Sequence, residues 1–520
     1  MQNIMNYRTL LLFLLVWTVS SCSDSFIELT PQDQQSSETF FKTEAQFRQA
    51  VTAAYPPLRN LMVNDYFTAE MRSDNTHYEY YAIDRGTANK QRETIADFVD
   101  DPTDAYSNAV YFHCYTGISR ANIVINRIAT ADLADNVKNN IAGEAKFLRA
   151  FNYFKLVRYF GAVPLYLDEV TNASEAFLPR ASVDEVYNQI IADAQAAIAG
   201  LDPPAAFPQT GKATKGSATM LLADVYMTQK KYPEAETLLK TLPAMGYQLL
   251  PDYAAVFSTA NKNSKESLFE VQYMQGAQGG QQSNFIYLFL PRTKTTMLVT
   301  GVATNNTTTG GWNTPTQDMI DAYEAGDKRK DASIGIAEGT YDASNIFTIS
   351  ANKSVLNYTP AAGKVGVPYI KKYLNPHTIA NNTDDNWPIY RYADALLLLA
   401  EALNEQGKST EALEYANAVR DRAFGAGVSP IVTTDQTALR EILAHERRVE
   451  LAFENHRWHD LVRTGSAIDV MNAHGVKLKQ IYSYLGPDTY QVNENRLVFP
   501  IPQAERDLNR DLSQNDGYPQ

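Results

Sequence analysis

Cysteine is scarce in this chain: the sequence contains only two, Cys22 and Cys114, among 520 residues. A fold held together by disulfides is therefore excluded, and stability must come from a packed core. Several motifs of catalysis and cofactor binding are also missing, namely the P-loop, G-x-G-x-x-G, G-x-S-x-G and the zinc motif H-E-x-x-H. We expect no cofactor, no metal and binding rather than catalysis, although sequence spacing alone does not exclude a pair of catalytic carboxylates.

Positively charged residues are also few: the sequence has 46 lysines and arginines but 59 aspartates and glutamates, which gives a net charge of −13. Nucleic acid and anionic lipid headgroups are poor partners for such a surface. Beyond the N-terminal segment no apolar run reaches the roughly 18 residues of a membrane-spanning helix. The sequence therefore predicts no nucleic-acid partner and no transmembrane helix.

The N-terminal segment is typical of a bacterial lipoprotein signal. Arg8 precedes an apolar run from Leu10 to Val19, and two serines then lead directly to Cys22. A charged lead, a short apolar core and small residues before a cysteine predict cleavage just before that cysteine, which then carries the lipid. We expect residues 1–21 to be the signal peptide, Cys22 to be the lipidation site and residues 22–38 to form a polar tether.

Hydrophobic periodicity predicts a mainly α-helical fold in one domain over residues 39–520. Individual helices are predicted over 43–62, 136–160, 183–199 and 436–463, and Ser182 with Glu185 forms a capping box for the third. Residues 216–240 and 391–420 each place two alanines twelve residues apart, Ala223 with Ala235 and Ala400 with Ala412. Small residues at that offset are typical of tetratricopeptide-like helix pairs.

Residues 262–385 differ in composition from the rest of the chain. They are rich in glycine, glutamine, asparagine and threonine, with isolated aromatic residues such as Trp312. This composition predicts a loop-rich insertion with little regular structure of its own. Because binding residues are often carried on loops, we expect the ligand side of the protein here.

Residues 66–92 mix aromatic and planar polar side chains in the proportions that sugar binding needs. Flat rings can pack on the C–H faces of a sugar, and Asp, Asn and Arg can make paired hydrogen bonds to its hydroxyl groups. The alternative interpretation is a loop packed on the scaffold by its tyrosines. The predicted ligand contacts, including two tryptophans from elsewhere, are Arg72, Asp74, Asn75, Tyr78, Tyr81, Trp312 and Trp387.

The densest run of charge, Glu446 to Arg463, has a structural interpretation. Its acidic and basic side chains recur at helical spacing, which favours ion pairs that fix the register of neighbouring helices. His456 and His459 lie three apart in this run, but no third metal ligand is near them in the sequence. We therefore expect this run to stabilise the helical scaffold and not to take part in catalysis or metal binding.

Five segments in order along the chain carry a resemblance to a known family. Together with the lipoprotein signal, they resemble the SusD/RagB family of surface nutrient-binding lipoproteins. The segments are residues 39–47, 143–165, 391–402 and 446–463, and the stretch from Phe499-Pro500-Ile501-Pro502 to Asn515 and Tyr518.

The resemblance implies a tetratricopeptide-like helical scaffold with an irregular, loop-rich ligand side. It also implies a lipid-anchored protein on the outer face of the outer membrane that works with a SusC-like TonB-dependent β-barrel transporter. Family members bind oligosaccharides, or peptides in some branches, and are not enzymes. The shared motifs mark the scaffold, so the resemblance assigns no ligand residue here.

The leading hypothesis is therefore a lipoprotein that captures oligosaccharides and passes them to the transporter. Three alternatives remain open: a peptide-capturing RagB-like protein, a glycoside hydrolase displayed at the surface, and a tetratricopeptide adaptor that binds only protein.

Overall fold

Residues 40–82, 85–276 and 280–519 are described by a computed structural model. The predicted signal peptide, the lipidation site Cys22 and the tether over 22–38 lie outside these ranges. None of the helices inside them combines the length and the apolar character needed to cross a bilayer.

Helices dominate the described part of the chain, which confirms the predicted mainly α fold. The α-helices are Glu44–Thr52 (α1), Pro56–Asp65 (α2), Thr87–Ala96 (α3), Ala105–Ala129 (α4), Asp135–Phe160 (α5), Val183–Gly200 (α6), Lys215–Thr228 (α7), Tyr232–Leu239 (α8), Phe285–Phe289 (α9), Met297–Thr300 (α10), Gln317–Ala322 (α11), Lys328–Ser333 (α12), Tyr392–Glu405 (α13), Ser409–Phe424 (α14), Gln436–Glu450 (α15), Arg457–Thr464 (α16), Ala467–Ile481 (α17) and Gln503–Leu508 (α18). A π-helical turn, Tyr66–Glu70, follows α2 directly.

The central helices begin and end where the sequence predicts. Helix α5 ends at Gly161, whose positive φ of 69° suits glycine at a helix C-terminus. Helix α6 begins with the predicted capping box of Ser182 and Glu185. The two predicted helix pairs are α7 with α8 and α13 with α14, and each pair packs together through its buried alanines.

Two predicted helices are each divided in two. The helix expected over 43–62 is interrupted before Pro56, which begins α2 because proline is tolerated only in the first turn. The helix expected over 436–463 breaks between α15 and α16. There the carboxylate of Glu70 accepts the backbone N–H groups of Phe453 and Asn455 at 3.0 and 2.9 Å, and both residues adopt positive φ.

The segment 262–385 has more regular structure than the sequence predicts, so that prediction is wrong in this respect. Strands Ile334–Tyr341 (β4), Phe347–Ser354 (β5) and Val365–Ile370 (β6) form an antiparallel sheet in the order β5-β4-β6. Apolar side chains such as Phe347 and Ile349 alternate along β5 and pack into a small separate core. The remaining strands pair at a distance in sequence: Thr76–His77 (β1) with Thr314–Pro315 (β3), and Ser267–Val271 (β2) with Trp387–Arg391 (β7).

A network of buried ion pairs connects the helices below the insertion. Arg391 contacts Glu450 at 3.0 Å and Glu454 at 2.6 Å, and Arg329 contacts Glu446 at 2.6 Å. These five side chains are almost completely buried and pair across different elements. The charged run from Glu446 to Arg463 therefore belongs to the scaffold. It has partners far away in sequence and also pairs within the run, where Asp460 contacts Arg447 at 3.1 Å and Arg463 at 2.8 Å.

Candidate functional site

The structure places six of the seven predicted ligand contacts in the interior of the protein. Arg72 is only 1% exposed, and its guanidinium is held by Asp100 at 2.7 Å. That group also lies between the rings of Phe98 and Phe499, 4.3 Å from each centroid. Every side of the guanidinium is thus used inside the fold, and the prediction of Arg72 as a ligand contact is corrected.

Asp74 and Asn75 are also bound to the scaffold. The Asp74 carboxylate accepts two hydrogen bonds from Arg457, at 2.7 and 2.9 Å, and pairs with Arg448 at 3.1 Å. Burial alone would raise the pKa of Asp74, but these two guanidinium groups outweigh it and hold that pKa below its ordinary value. Asn75 donates to Glu70 at 2.9 Å and accepts from Arg448 at 3.0 Å. Neither side chain is available to a surface ligand.

Both predicted tryptophans are core residues. Trp312 is fully buried against the edge of Phe67, with the guanidinium of Arg92 over its ring at 4.7 Å. Trp387 is stacked on Tyr373 with centroids 4.9 Å apart. Large rings that bury this completely pack the core rather than bind a ligand at the surface, and their assignment as ligand contacts is corrected.

Tyr78 and Tyr81 differ in how deeply they are buried. Tyr78 is 4% exposed, and its hydroxyl donates to Asp97 at 2.8 Å, so its assignment is corrected too. Burial raises the pKa of Asp97 to about 8. Tyr81 is half-buried, with the guanidinium of Arg292 at 4.9 Å from its ring centroid, and it stays a predicted ligand contact.

A cluster of partly exposed rings lies beside these buried residues, and we call Tyr80, Tyr482 and Tyr484 the tyrosine patch. The rings of Tyr80 and Tyr484 are stacked with centroids 4.0 Å apart and 9° between their planes. Tyr482 is stacked on Tyr484 at 5.3 Å and 27°. All three are half-buried, so each ring keeps part of its surface in solvent.

His77, at the end of β1, supports the tyrosine patch from below. Its ring is stacked on Tyr482 at 5.1 Å, and its Nε2 lies 3.0 Å from the hydroxyl of Tyr484. Its Nδ1 lies 3.3 Å from the hydroxyl of Tyr490. Burial lowers the pKa of His77 to about 3, so the ring is neutral at physiological pH and each tautomer has one nitrogen that donates and one that accepts. These contacts fix the orientation of the tyrosines.

Charged groups border the patch. The guanidinium of Arg85 lies over the ring of Tyr80, 4.4 Å from its centroid, and makes a two-point ion pair with Glu93 at 2.5 and 2.6 Å. On the other side, Glu79 accepts from the hydroxyl of Tyr341 at 3.1 Å and from the backbone N–H of Arg292 at 2.9 Å. Tyr341 is 39% exposed.

This arrangement is suited to binding a flat, hydroxyl-rich molecule. The faces of Tyr80 are covered by Tyr484 and by Arg85. The apolar surface offered to a ligand is therefore the part of each ring that stays in solvent, while phenol and guanidinium groups at the edge supply hydrogen bonds. The carboxylates next to the patch are already engaged, Glu93 with Arg85, Asp97 with Tyr78, and Glu79 with the Tyr341 hydroxyl and the Arg292 backbone. Across residues 40–82, 85–276 and 280–519, no group of three or more His, Cys, Asp or Glu could hold a metal ion.

Sequence reasoning did not identify Tyr80, Tyr482, Tyr484, Tyr341 or Arg85. One signal was available: Tyr482 and Tyr484 are two apart, just after a helix and before the turn Gly486-Pro487. The two residues belong to one turn, in which the backbone N–H of Leu485 donates to the carbonyl of Tyr482 at 3.2 Å, and their rings lie close together. Nothing in the sequence, however, places these tyrosines next to Tyr80, some 400 residues earlier.

Two family models match the chain. One, described as "SusD family", covers residues 265–518, and the other, described as "Starch-binding associating with outer membrane", covers residues 25–227.

Relatives and solved structures are similar over most of the chain. "SusD-like protein P2" of Formosa agariphila is 30% identical, with 97% of this chain and 98% of that protein covered. "Starch-binding protein SusD" of Bacteroides thetaiotaomicron is 22% identical over 80% of this chain and 79% of its own length. A solved structure titled "Laminarin binding SusD-like protein" matches with a TM-score of 0.72 and 25% identity, over 92% of this chain and all of that one.

Proposed function

The chain belongs to the SusD family, and from this premise we propose that it captures oligosaccharides at the cell surface through the tyrosine patch, without hydrolysing them. One observation carries the proposal: the stacked and partly exposed rings of Tyr80, Tyr482 and Tyr484. Sugars offer C–H faces that pack on such rings and hydroxyl groups that bond to the polar edge.

The patch is rigid, which favours binding. Tyr484 is fixed by its contact with His77, and Tyr80 lies between the ring of Tyr484 and the guanidinium of Arg85. A surface that is already ordered loses little conformational entropy when it binds, so even a modest contact area gives measurable affinity. Arg85 and Tyr341 are the polar groups best placed to contact sugar hydroxyls.

Capture without turnover agrees with the state of the nearby carboxylates. Hydrolysis of a glycosidic bond uses two carboxyl groups on either side of the bond, one as acid and one as base or nucleophile. Glu93 and Asp97 are committed to Arg85 and Tyr78, and Asp97 is buried below the surface. Glu79 accepts from the Tyr341 hydroxyl and the Arg292 backbone N–H. We therefore infer that the bound glycan keeps its length.

We further propose that the protein is anchored by a lipid on Cys22 at the outer membrane and delivers its ligand to a SusC-like TonB-dependent transporter. The lipoprotein signal and the family described as outer-membrane associated support the anchor. The transporter partner follows from the family resemblance.

Isothermal titration of a soluble form starting at Ser23 tests the proposal. The panel contains laminarin, starch, other plant, microbial and host polysaccharides, and a mixture of peptides. We expect heat from one class of glycan, with Tyr482→Ala and Tyr80→Ala each weakening binding. Size-exclusion chromatography of the glycan afterwards is expected to show an unchanged chain length.

Each other result points to a different function. Heat from peptides alone that is lost in the two tyrosine variants would replace the proposal with peptide capture at the patch, and a shortened glycan would replace it with hydrolysis. Glycan binding that is unaffected by both tyrosine variants would keep the function but move the site away from the patch.

A further inference from the structure

A second concave surface, which we call the apolar groove, lies between helix α4, the segment 164–178 and the C-terminal residues from α18 to Leu512. Its volume is about 340 Å³, within the range of small-ligand and side-chain pockets. The floor consists of apolar and aromatic side chains of α4, among them Tyr111 and Ile118. None of the tyrosine-patch residues lines it.

The walls of the apolar groove are fixed by hydrogen bonds. The hydroxyl of Tyr115 donates to the carbonyl of Pro164, and the hydroxyl of Tyr166 donates to the carbonyl of Ala176, both at 2.7 Å. The Asn509 side chain donates to the carbonyl of Leu178 at 2.9 Å, which attaches the C-terminal wall to the loop. The groove therefore exists before any ligand arrives.

Four apolar side chains on the rim are open to solvent. Phe112 is 60%, Phe177 50%, Val170 47% and Leu508 73% exposed. Single exposed apolar residues are common, but several around one concave surface mark a site that another molecule covers. Since they lie on three different elements, the fold itself brings them together.

One charged group at the groove has no partner. The carboxylate of Glu505 is half-buried and makes no hydrogen bond or ion pair with any described residue. It lines the groove together with the phenols of Tyr111 and Tyr166. Desolvation raises the pKa of Glu505, so a cation placed beside it would relieve an unfavourable charge.

The N-terminal part of this chain does not have the complementary charge. It joins the described structure near the groove, because Phe41 lies under Arg127, whose ion-pair partner Glu169 adjoins the rim residue Val170. Residues 23–41 contain apolar side chains but no lysine or arginine, and they carry four acidic residues. Charge complementarity therefore favours a different molecule.

We propose that the apolar groove docks a peptide segment of a partner protein, with an aromatic or aliphatic side chain in the groove and a lysine or arginine beside Glu505. The apolar side chain of the peptide is then buried against the rim, and the ion pair with Glu505 fixes the orientation of the peptide. The proposal is independent of the glycan function assigned to the tyrosine patch.

A phage-displayed random peptide library, selected on the soluble form starting at Ser23, provides the probe. Clones that also bind the empty support are removed. Peptides that recur are synthesised, and their dissociation constants are measured by fluorescence anisotropy. We expect a recurring sequence in which an apolar residue lies within one helical turn of a lysine or arginine.

Matched variants separate the groove from general surface effects. Leu508→Asp places a charge on the apolar rim, and Glu505→Gln removes the charge that pairs with the cation of the peptide, so each is expected to weaken binding about tenfold or more. The controls Val432→Asp, at a residue 77% exposed, and Glu234→Gln, at another exposed carboxylate, are expected to leave binding unchanged. High salt is expected to weaken the wild-type interaction but not that of Glu505→Gln.

Several results would overturn the proposal. The absence of any recurring sequence, or a recurring sequence rich in acidic residues, would do so. A dimer in sedimentation velocity that Leu508→Asp dissociates would instead assign the groove to a second copy of this chain. Flotation with phospholipid vesicles that is lost in Leu508→Asp would assign it to a membrane surface.

Discussion

Replacing Tyr484 tests the proposed glycan site most directly, because this residue joins all parts of the tyrosine patch. Its ring is stacked on Tyr80 and Tyr482, and its hydroxyl lies 3.0 Å from Nε2 of His77. Two substitutions separate these roles. Tyr484→Ala removes the ring, whereas Tyr484→Phe keeps the ring and removes only the hydroxyl.

The expected magnitude follows from the stacking. An aromatic contact contributes about 0.5–1.5 kcal/mol beyond the area it buries. In Tyr484→Ala the ligand loses one ring, and Tyr80 loses the neighbour that holds it at 4.0 Å. A combined loss of about 1–2 kcal/mol corresponds to a dissociation constant roughly 5- to 30-fold higher.

Tyr484→Phe is expected to behave differently. Removing the hydroxyl leaves the buried His77 with one hydrogen bond fewer, which lowers the free energy of unfolding by about 1 kcal/mol. The stacked rings remain in place, so the dissociation constant is expected to change less than about threefold, or about 0.7 kcal/mol.

Isothermal titration with the glycan that the wild type binds measures both variants. Tyr415→Ala is the matched control, because Tyr415 is also half-buried but lies on α14 beside Lys240 and Glu411. Thermal unfolding followed by circular dichroism establishes that each variant is folded at the titration temperature.

Two results would contradict the stacking argument. If Tyr484→Phe weakens binding as much as Tyr484→Ala, the hydroxyl and not the ring provides the contact. If neither changes the dissociation constant, the patch is not the glycan site. An effect of Tyr415→Ala similar to that of Tyr484→Ala would mean that the loss is not specific to the patch.

Four further predictions concern the core, the charges and the anchor. Trp312→Ala is expected to lower the free energy of unfolding by about 3–5 kcal/mol, because the ring is fully buried. Weaker glycan binding by this variant at unchanged stability would contradict the assignment of Trp312 to the core. Arg329→Met is expected to cost about 3–5 kcal/mol in urea unfolding, since removing one partner leaves buried carboxylates uncompensated; an unchanged midpoint would contradict it. The folded-state pKa of Asp97, about 8, is above its unfolded value, so the contribution of this group to the free energy of unfolding is present at acid pH and is lost as pH rises towards 8. Asp97→Asn is expected to make the melting temperature decline less steeply over this pH range. An equally steep decline in the variant would refute the raised pKa of Asp97. In cells, Cys22→Ser is expected to release the protein from the membrane fraction, and retention there would rule out the proposed lipid anchor.

Sequence was sufficient for the parts of the fold that local chemistry decides. The capping box at Ser182, the stop at Gly161 and the alanine pairs of α7–α8 and α13–α14 all depend on residues a few positions apart. Periodicity alone did not reveal the breaks at Pro56 and after Glu450. The second break depends on Glu70, which is distant in sequence, so no local pattern could have predicted it.

The candidate site was predictable only as a region. The sequence singled out residues 66–92 by their composition, but burial decides which of their side chains face solvent. Asp74 is polar in the sequence and buried in the fold because Arg457, 383 residues away, neutralises it. A segment that mixes planar polar groups with aromatic rings looks the same in sequence whether it binds a sugar or an arginine of the same chain. Only the tertiary contacts distinguish these two roles.

The buried polar residues nevertheless contribute to the proposed site through position. Asn75 is held by Arg448 of α15, and the next two residues, Thr76 and His77, pair with β3. His77 in turn supports Tyr482 and Tyr484. A side chain at the surface can stack on a ligand only if its backbone is fixed, and here buried ion pairs provide that fixation. The polar residues that the sequence singled out therefore hold the tyrosine patch in place, and the proposed ligand surface begins after them, at Glu79 and Tyr80.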